Sequence, residues 1–351
     1  MGKLAVVMLN LGGPDRPESV RPFLFNLFND PAIIGAPGPL RWALAQFISR
    51  RRAPAARAIY AEIGGGSPLL ANTEAQAGAL ADALAAKGGD PADGEVRVFV
   101  AMRYWHPRSD ETAAAVAAFA PDEIVLLPLY PQYSTTTTAS SLADWGRAAR
   151  RAGLAAPTRT LCCYPVAAGW IASLARLARG PLAAARAHGT PRLLLSAHGL
   201  PEKVVSERGD PYQWQVEETA AAVAAALGEP DLDWRVCYQS RVGPLAWIGP
   251  GTDEEIRRAG RDGVPVVLCP IAFVSEHSET LVELDITSRK LAAECGVPHY
   301  TRVPAVGVDE PFVTGLAGLV RRLRQGEGRL CSMNGGRRCP ARLQGCPLGA
   351  A

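Results

Sequence analysis

With 351 residues, the chain is long enough for two domains of about 150 residues each. Its 48% hydrophobic and 20% charged residues exclude a disordered chain and predict a globular protein with a sizeable core. The net charge of +3 comes from Lys and Arg interleaved with acids, so nucleic-acid binding is not expected.

In chain order, short apolar runs alternate with Ala-rich stretches of helical period. The first run, residues 4–10, is too short for an export signal and lacks a cleavage site. No stretch reaches the roughly 18 apolar residues of a membrane-spanning helix. A cytoplasmic protein is expected, one that can still lie on a membrane. Residues 31–54 join Ile33, Ile34, Trp42 and Phe47 to Arg50, Arg51 and Arg52. They read either as an internal helix or as an amphipathic lip on a membrane surface. A helix is predicted over 73–86, a strand over 96–102, a helix over 110–118 and a strand over 123–129. A weaker strand follows at 159–163. Next come a strand over 192–197, a helix over 212–227, a strand over 234–239, a helix over 253–259 and a strand over 264–271.

Continuous apolar strands alternating with helices predict an α/β fold whose parallel sheets are covered on both faces. Leu9-Asn10-Leu11-Gly12-Gly13-Pro14 resembles Ser196-Ala197-His198-Gly199-Leu200-Pro201, and Pro128 through Ser134 parallels Pro270 through Glu276. This weak repeat predicts two similar Rossmann-like doubly wound halves. The expected division is 1–140, carrying the lip, then 141–328, then a cysteine-rich tail over 329–351.

In such sheets ligands bind beyond the carboxyl ends of the strands. His198, Arg103, Tyr104, Tyr130, Arg241, Glu276 and His277 fall there. His198 is either a structural side chain or an imidazole that binds metal or accepts a proton near neutral pH. Glu279 and Glu283, four apart, share one face of a helix. That face is either simply solvated or an acidic ladder able to bind a divalent cation or take up protons. Gly64-Gly65-Gly66-Ser67-Pro68 lacks the Lys of a phosphate loop and reads as a turn.

Eight cysteines in a chain without an export signal argue against a disulfide framework. Cys237, Cys269 and Cys295 lie in apolar segments and read as core. Cys331, Cys339 and Cys346 sit among Gly, Arg and Pro, where no core is expected to hold them, and point to a metal role.

Together these segments resemble the ferrochelatases, in order and spacing, over about residues 4 to 331. The resemblance rests on Leu9 through Pro14, Arg50 through Pro54, Tyr60 with Ile63 through Pro68, and Met102 through Pro107. It continues through Tyr130 to Ser134, Ser196 to Pro201, Arg208 to Tyr212, Gln239 to Pro244, and Pro270 to His277 with Glu279-Thr280-Leu281. It implies a porphyrin held in the cleft between two Rossmann-like halves, with Fe²⁺ and protoporphyrin IX as substrates. By the same resemblance His198 and Glu279 are the catalytic pair and transient iron ligands, supported by His277, Glu276 and Glu283. Arg52, Tyr60, Ser67, Arg103 and Arg241 fall where the family holds propionates or shapes the cleft; Leu11, Tyr104 and Trp247 fall on its apolar walls. Peripheral contact with the inner membrane is implied, and no oligomeric state.

The chain departs from some relatives at Thr287, where they extend the acidic ladder with a third Glu, and at Thr135, where animal members carry a cluster cysteine. Cys331, Cys339 and Cys346, with one of Cys162 or Cys163, resemble instead the [2Fe–2S] ligands of some bacterial members; zinc is the rival occupant. Successive strand residues point to opposite faces. One of the adjacent cysteines is therefore expected to be a bystander, with Cys163 the preferred ligand, and the tail is expected to depend on the metal for its order. Competing readings are a coproporphyrin ferrochelatase, a cobalt chelatase of corrin synthesis, and an inactive tetrapyrrole carrier.

Overall fold

The computed structural model describes residues 2–86, 93–241, 243 and 245–349. Val242 and Pro244 of the quoted motif, and residues 350–351 of the expected tail, lie outside the described residues. The strands are β1 (Gly2–Asn10), β2 (Asp93–Met102), β3 (Glu123–Pro128), β4 (Thr158–Cys163), β5 (Arg192–His198), β6 (Asp233–Gln239), β7 (Val266–Pro270), β8 (Tyr300–Arg302) and β9 (Leu330–Ser332). The helices are α1 (Val20–Phe28), α2 (Gly38–Ala61), α3 (Leu69–Ala85), α4 (Ser109–Phe119), α5 (Thr138–Arg151), α6 (Ala168–Ala185), α7 (Glu202–Ser206), α8 (Tyr212–Leu227), α9 (Thr252–Asp262), α10 (Ser288–Glu294) and α11 (Glu310–Gln325). A π-helix, Glu279–Thr287, runs directly into α10.

Two compact units result, Met1–Cys163 with Leu316–Arg338, and Tyr164–Gly315 with Cys339–Ala351. The first holds a parallel sheet in the order β2-β1-β3-β4-β9. Its central strand β1 is buried on both faces from Leu4 to Asn10, which is why it reads as a continuous apolar run. Ala5, Val7 and Leu9 pack with Ala113, Val116 and Trp145 from α4 and α5.

The second unit holds a parallel sheet in the order β6-β5-β7-β8. Leu194, Val266 and Leu268 pack there with Ile256, Ala259, Leu284 and Ala292. Numbered within its own unit, each sheet begins in the order 2-1-3-4. That order places the topological switch point, where ligands bind in open α/β sheets, beside the carboxyl end of the first strand. In the two units those ends are at Leu11 and His198. The two parallel α/β halves expected from the repeat are therefore present, and the repeated segments fall on first and third strands.

Strands β8 and β9, three residues each, were too short to leave a periodic signal. Helix α6 carries Pro181 in its interior, which masked it, whereas α2, within the segment read as a helix or a lip, runs on past Pro54 to Ala61. Helix α2 buries Ala45, Ser49 and Ala53 while Leu40, Trp42 and Phe47 are exposed, a reversal of the usual amphipathic pattern.

Candidate active site

In the second unit, β5 delivers His198 to the switch point, in register with Gln239 at the end of β6. The π-helix that follows β7 delivers Glu279, and the two meet through a hydrogen bond of 2.9 Å from His198 Nδ1–H to Glu279 Oε2. The His198 side chain is 38% exposed and so remains reachable. His277 is buried; its Nδ1–H donates to the Ser275 carbonyl at 3.2 Å, and its Nε2 stands 3.9 Å from the same Glu279 oxygen.

The π-turn is wider than an α-turn, with i→i+5 bonding, and such turns are frequent at functional sites. Side-chain donors support its carbonyls: Ser288 Oγ donates to Glu283 O at 2.9 Å, and the Tyr300 hydroxyl donates to Leu284 O. Glu283 lies on the same face as Glu279, as the spacing predicted, and both converge on Ser240. Ser240 donates its N–H to Glu283 Oε1 at 2.6 Å and its hydroxyl to Glu283 Oε2 at 2.5 Å. The same hydroxyl stands 3.5 Å from Glu279 Oε2. Nothing in the sequence pattern distinguished Ser240.

Electrostatics separate these groups. Burial works to lower the His198 pKa, but the charge and hydrogen bond of Glu279 prevail and raise it. Burial likewise works to raise Glu279, yet the charge and hydrogen bond of His198 hold its carboxyl below the usual range. Glu283 is raised, by burial and by the charge of Glu279. His277 is lowered, chiefly by burial.

Other expected residues of this unit have structural partners. Glu276 accepts Arg302 Nη1 at 2.8 Å and the Ala305 N–H at 3.0 Å, tying the loop after β7 to β8. Arg241 donates to Glu254 at 2.9 Å. Trp247 bridges to Pro201, and a side chain at Gly199 would reach its ring at 3.4 Å.

In the first unit, Leu11 follows β1 and is half-buried. The turn after it requires glycine: Gly12 has φ +86°, and a Cβ there would meet the Trp105 nitrogen at 2.9 Å. Ser67 packs against Gly13, and its N–H donates to Pro14 O at 2.7 Å, so the glycine-rich segment is a turn interleaved with the one after β1. Arg52 is exposed, over the Phe28 ring at 5.8 Å. Tyr60 and Tyr104 lie in a buried cluster with Val20, Phe23, Leu24 and Ala53.

Arg103 and Tyr104, expected on propionates and on an apolar wall, are both committed to Asp30. Arg103 Nη2 donates to Asp30 Oδ2 at 2.8 Å, and the Tyr104 hydroxyl donates to the same oxygen at 2.6 Å. Ser140 Oγ also donates to that oxygen, and Arg103 Nε to Ser140 Oγ at 2.8 Å. Asp30 and Ser140 carried no sequence signal.

The cysteines require two corrections. Cys331, Cys339 and Cys346 are all buried, contrary to the expectation that no core holds the tail. Cys331 lies on β9, opposite Leu161 of β4, and Gln215 Nε2 donates to Cys339 Sγ at 3.2 Å. Residues 344–345 pack on Gly209, whose carbonyl accepts the Gly345 N–H at 2.9 Å. The tail therefore packs on the rest of the chain through these contacts. Second, Cys162 and Cys163 do not point apart: their sulfurs are 3.6 Å from each other. The β4–β9 register shifts between Leu161 and Cys163, and such a bulge re-aims a side chain.

Two thiolates about 2.3 Å from one tetrahedral metal stand about 3.7 Å apart, so this pair fits two ligand positions of such a centre. Among the described residues, no group of three or more His, Cys, Asp or Glu side chains is gathered as a metal site.

The chain matches the family described as Ferrochelatase over residues 3–323. It is 60% identical over 315 residues to a ferrochelatase of Phenylobacterium zucineum, covering 90% of each chain. To a ferrochelatase of Caulobacter vibrioides it is 56% identical over 347 residues, covering 98% of this chain and 97% of that one. Among solved structures it resembles SirB from Bacillus subtilis with Fe³⁺, with a TM-score of 0.52, 13% identity, and coverage of 92% and 95%. The sirohydrochlorin chelatase SirB from Bacillus subtilis subspecies spizizenii in complex with cobalt is similar at a TM-score of 0.51 and 11% identity, with coverage of 92% and 94%. At these identities the likeness concerns the fold.

Proposed function

The chain belongs to the ferrochelatase family, lyases that insert ferrous iron into a porphyrin in haem biosynthesis, and from that premise we propose that its porphyrin is protoporphyrin IX and that His198 and Glu279 carry the insertion. The observation that carries this reading is the 2.9 Å hydrogen bond between them at the switch point of the second sheet.

Insertion requires two pyrrole N–H protons to leave as the metal arrives. With Nδ1–H held by Glu279, the imidazole lone pair is on Nε2, where it accepts a proton. The imidazolium that forms is stabilised by the ionised Glu279. Two neighbouring carboxyl groups pushed in opposite directions mark a division of acid and base roles: Glu279 stays charged while Glu283 retains its proton to higher pH. His277, with its lowered pKa, stays neutral and adds no competing positive charge.

The exposed Leu40, Trp42 and Phe47 on α2, with Ile33 before it, favour protoporphyrin, whose vinyl groups partition to membranes. The same face suits peripheral contact from the cytoplasm with the inner membrane. Among the described residues no helix is long and apolar enough to cross a membrane. We propose that four of Cys162, Cys163, Cys331, Cys339 and Cys346 would hold a [2Fe–2S] centre, which takes four cysteines and would supply a one-electron redox couple.

The deciding experiment is anaerobic Fe²⁺ insertion into protoporphyrin and coproporphyrin side by side, in wild type, His198→Ala and Glu279→Gln. Faster turnover of coproporphyrin would transfer the reading to that substrate. Near wild-type activity in either folded variant would remove that residue from the mechanism.

A further inference from the structure

Among the described residues, the non-glycine positions with left-handed φ are Ala120, at the C-cap of α4, and Ser240, at φ +60°. The first is a helix terminus. The second has no such explanation: it directly follows β6, one residue beyond Gln239, which is in register with His198. A left-handed non-glycine residue is disfavoured by its own Cβ and persists where the surroundings over-determine it. What Ser240 gains is two bonds to one carboxylate: its N–H reaches Glu283 Oε1 at 2.6 Å and its hydroxyl reaches Glu283 Oε2 at 2.5 Å.

We propose that Ser240 is a positioning residue of the insertion reaction, using its strained backbone to clamp the Glu283 carboxylate beside Glu279. The inference rests on the reading of His198 and Glu279 given above and deepens it. Without the clamp, a glutamate at the fifth position of the π-helix is free to swing toward solvent. With it, both oxygens of Glu283 are engaged and its carboxylate cannot rotate. The Ser240 hydroxyl, 3.5 Å from Glu279 Oε2, also fills the space between the two acids. The Glu283 carboxylate is thereby fixed before substrate arrives, beside a Glu279 held by His198, which is the preorganisation that a proton-transfer site needs.

Two variants separate positioning from stability. Ser240→Gly removes the hydroxyl and relieves the left-handed strain, so melting temperature should hold or rise; Ser240→Ala removes the hydroxyl and keeps the strain, so it should fall. Positioning predicts the same loss in both, about tenfold in kcat, with KM for the porphyrin unchanged. It also predicts that Ser240→Gly has no further effect on kcat in a Glu283→Gln background, because the clamped carboxylate is already gone. Wild-type kcat in Ser240→Gly, or equal losses in both backgrounds, would overturn the proposal. If His198→Ala and Glu279→Gln instead retain activity, the parent reading fails, and the two failures are distinguishable.

Discussion

Asp30→Asn is the substitution for which the structure gives the sharpest energetic expectation. The Asp30 side chain is 2% exposed, and its Oδ2 alone accepts Arg103, Tyr104 and Ser140. Its other oxygen accepts the Ala32 N–H at 2.8 Å. Asparagine has the same shape but one acceptor oxygen. If that oxygen serves the three side chains, the amide NH₂ faces the Ala32 N–H; if it serves Ala32, the NH₂ faces three donors. Either way a donor is orphaned and the charge opposite Arg103 is lost. Removing one partner of a buried ion pair costs about 3–5 kcal/mol. Asp144 at 3.7 Å offsets part of this, so a loss of about 3 kcal/mol is expected. For a folding unit of this size that is a fall in melting temperature of about 6–12 °C.

The pH dependence provides a second check on the same residue. Burial alone would raise the Asp30 carboxyl, but the hydrogen bonds from Ser140, Tyr104 and Ala32 and the charge of Arg103 hold it below the ordinary value. A lowered folded pKa contributes stability that is present above the unfolded value, near 3.9, and lost as pH falls through the folded one. The gap between wild type and Asp30→Asn should therefore be flat from pH 7 to about 5 and close below about 4. Urea unfolding of both proteins across this range measures it. A gap at pH 7 under about 1 kcal/mol, against the cost expected for an unpaired buried charge, would refute the view that Asp30 balances Arg103.

His198→Ala and Glu279→Gln should each lower iron insertion by about 10²–10⁴, with Glu283→Gln doing less; steady-state kinetics on folded protein decide this. Replacing Leu40, Trp42 and Phe47 by polar residues should weaken liposome flotation while leaving melting temperature unchanged, because these side chains are exposed; unaltered flotation would leave α2 without a membrane role. Anaerobically purified protein should carry about two irons per chain with the visible absorption of a cluster. Cys162→Ser and Cys163→Ser should both reduce that loading, because their sulfurs adjoin, whereas stoichiometric zinc in colourless protein would exclude the cluster.

The sheets were legible because their strands are buried on both faces and read as unbroken apolar runs, as in β1 and β5. His198 stood out because ligands in such sheets bind beyond the carboxyl ends of the strands, and the structure brings Glu279 to within 2.9 Å of it. The acid–base separation was not, since it depends on which groups meet. Glu276 looked as promising as Glu279, and only Arg302, 26 residues away, reveals that it ties the loop to β8. Arg103 looked like an anion-binding residue until Asp30, 73 residues away, took its charge. The tail misled for a related reason: Gly, Arg and Pro around Cys331 hid a three-residue strand that pairs with β4. Long-range partners and very short strands leave no period in a sequence.

The same sheet order carries different side chains past its strand ends in the two units. After the first strand of one come Leu11 and glycines packed against a second glycine-rich turn; after the first strand of the other comes His198. Beyond the third strand of one stands Tyr130, its hydroxyl 3.2 Å from Ser141. Beyond the third strand of the other stand His277, Glu279 and Glu283. In the first unit the charged residue nearest the strand ends, Arg103, is neutralised internally by Asp30. In the second, titratable groups are gathered and held apart in pKa by their contacts. The two units thus share a sheet order and differ in the side chains that follow their first and third strands.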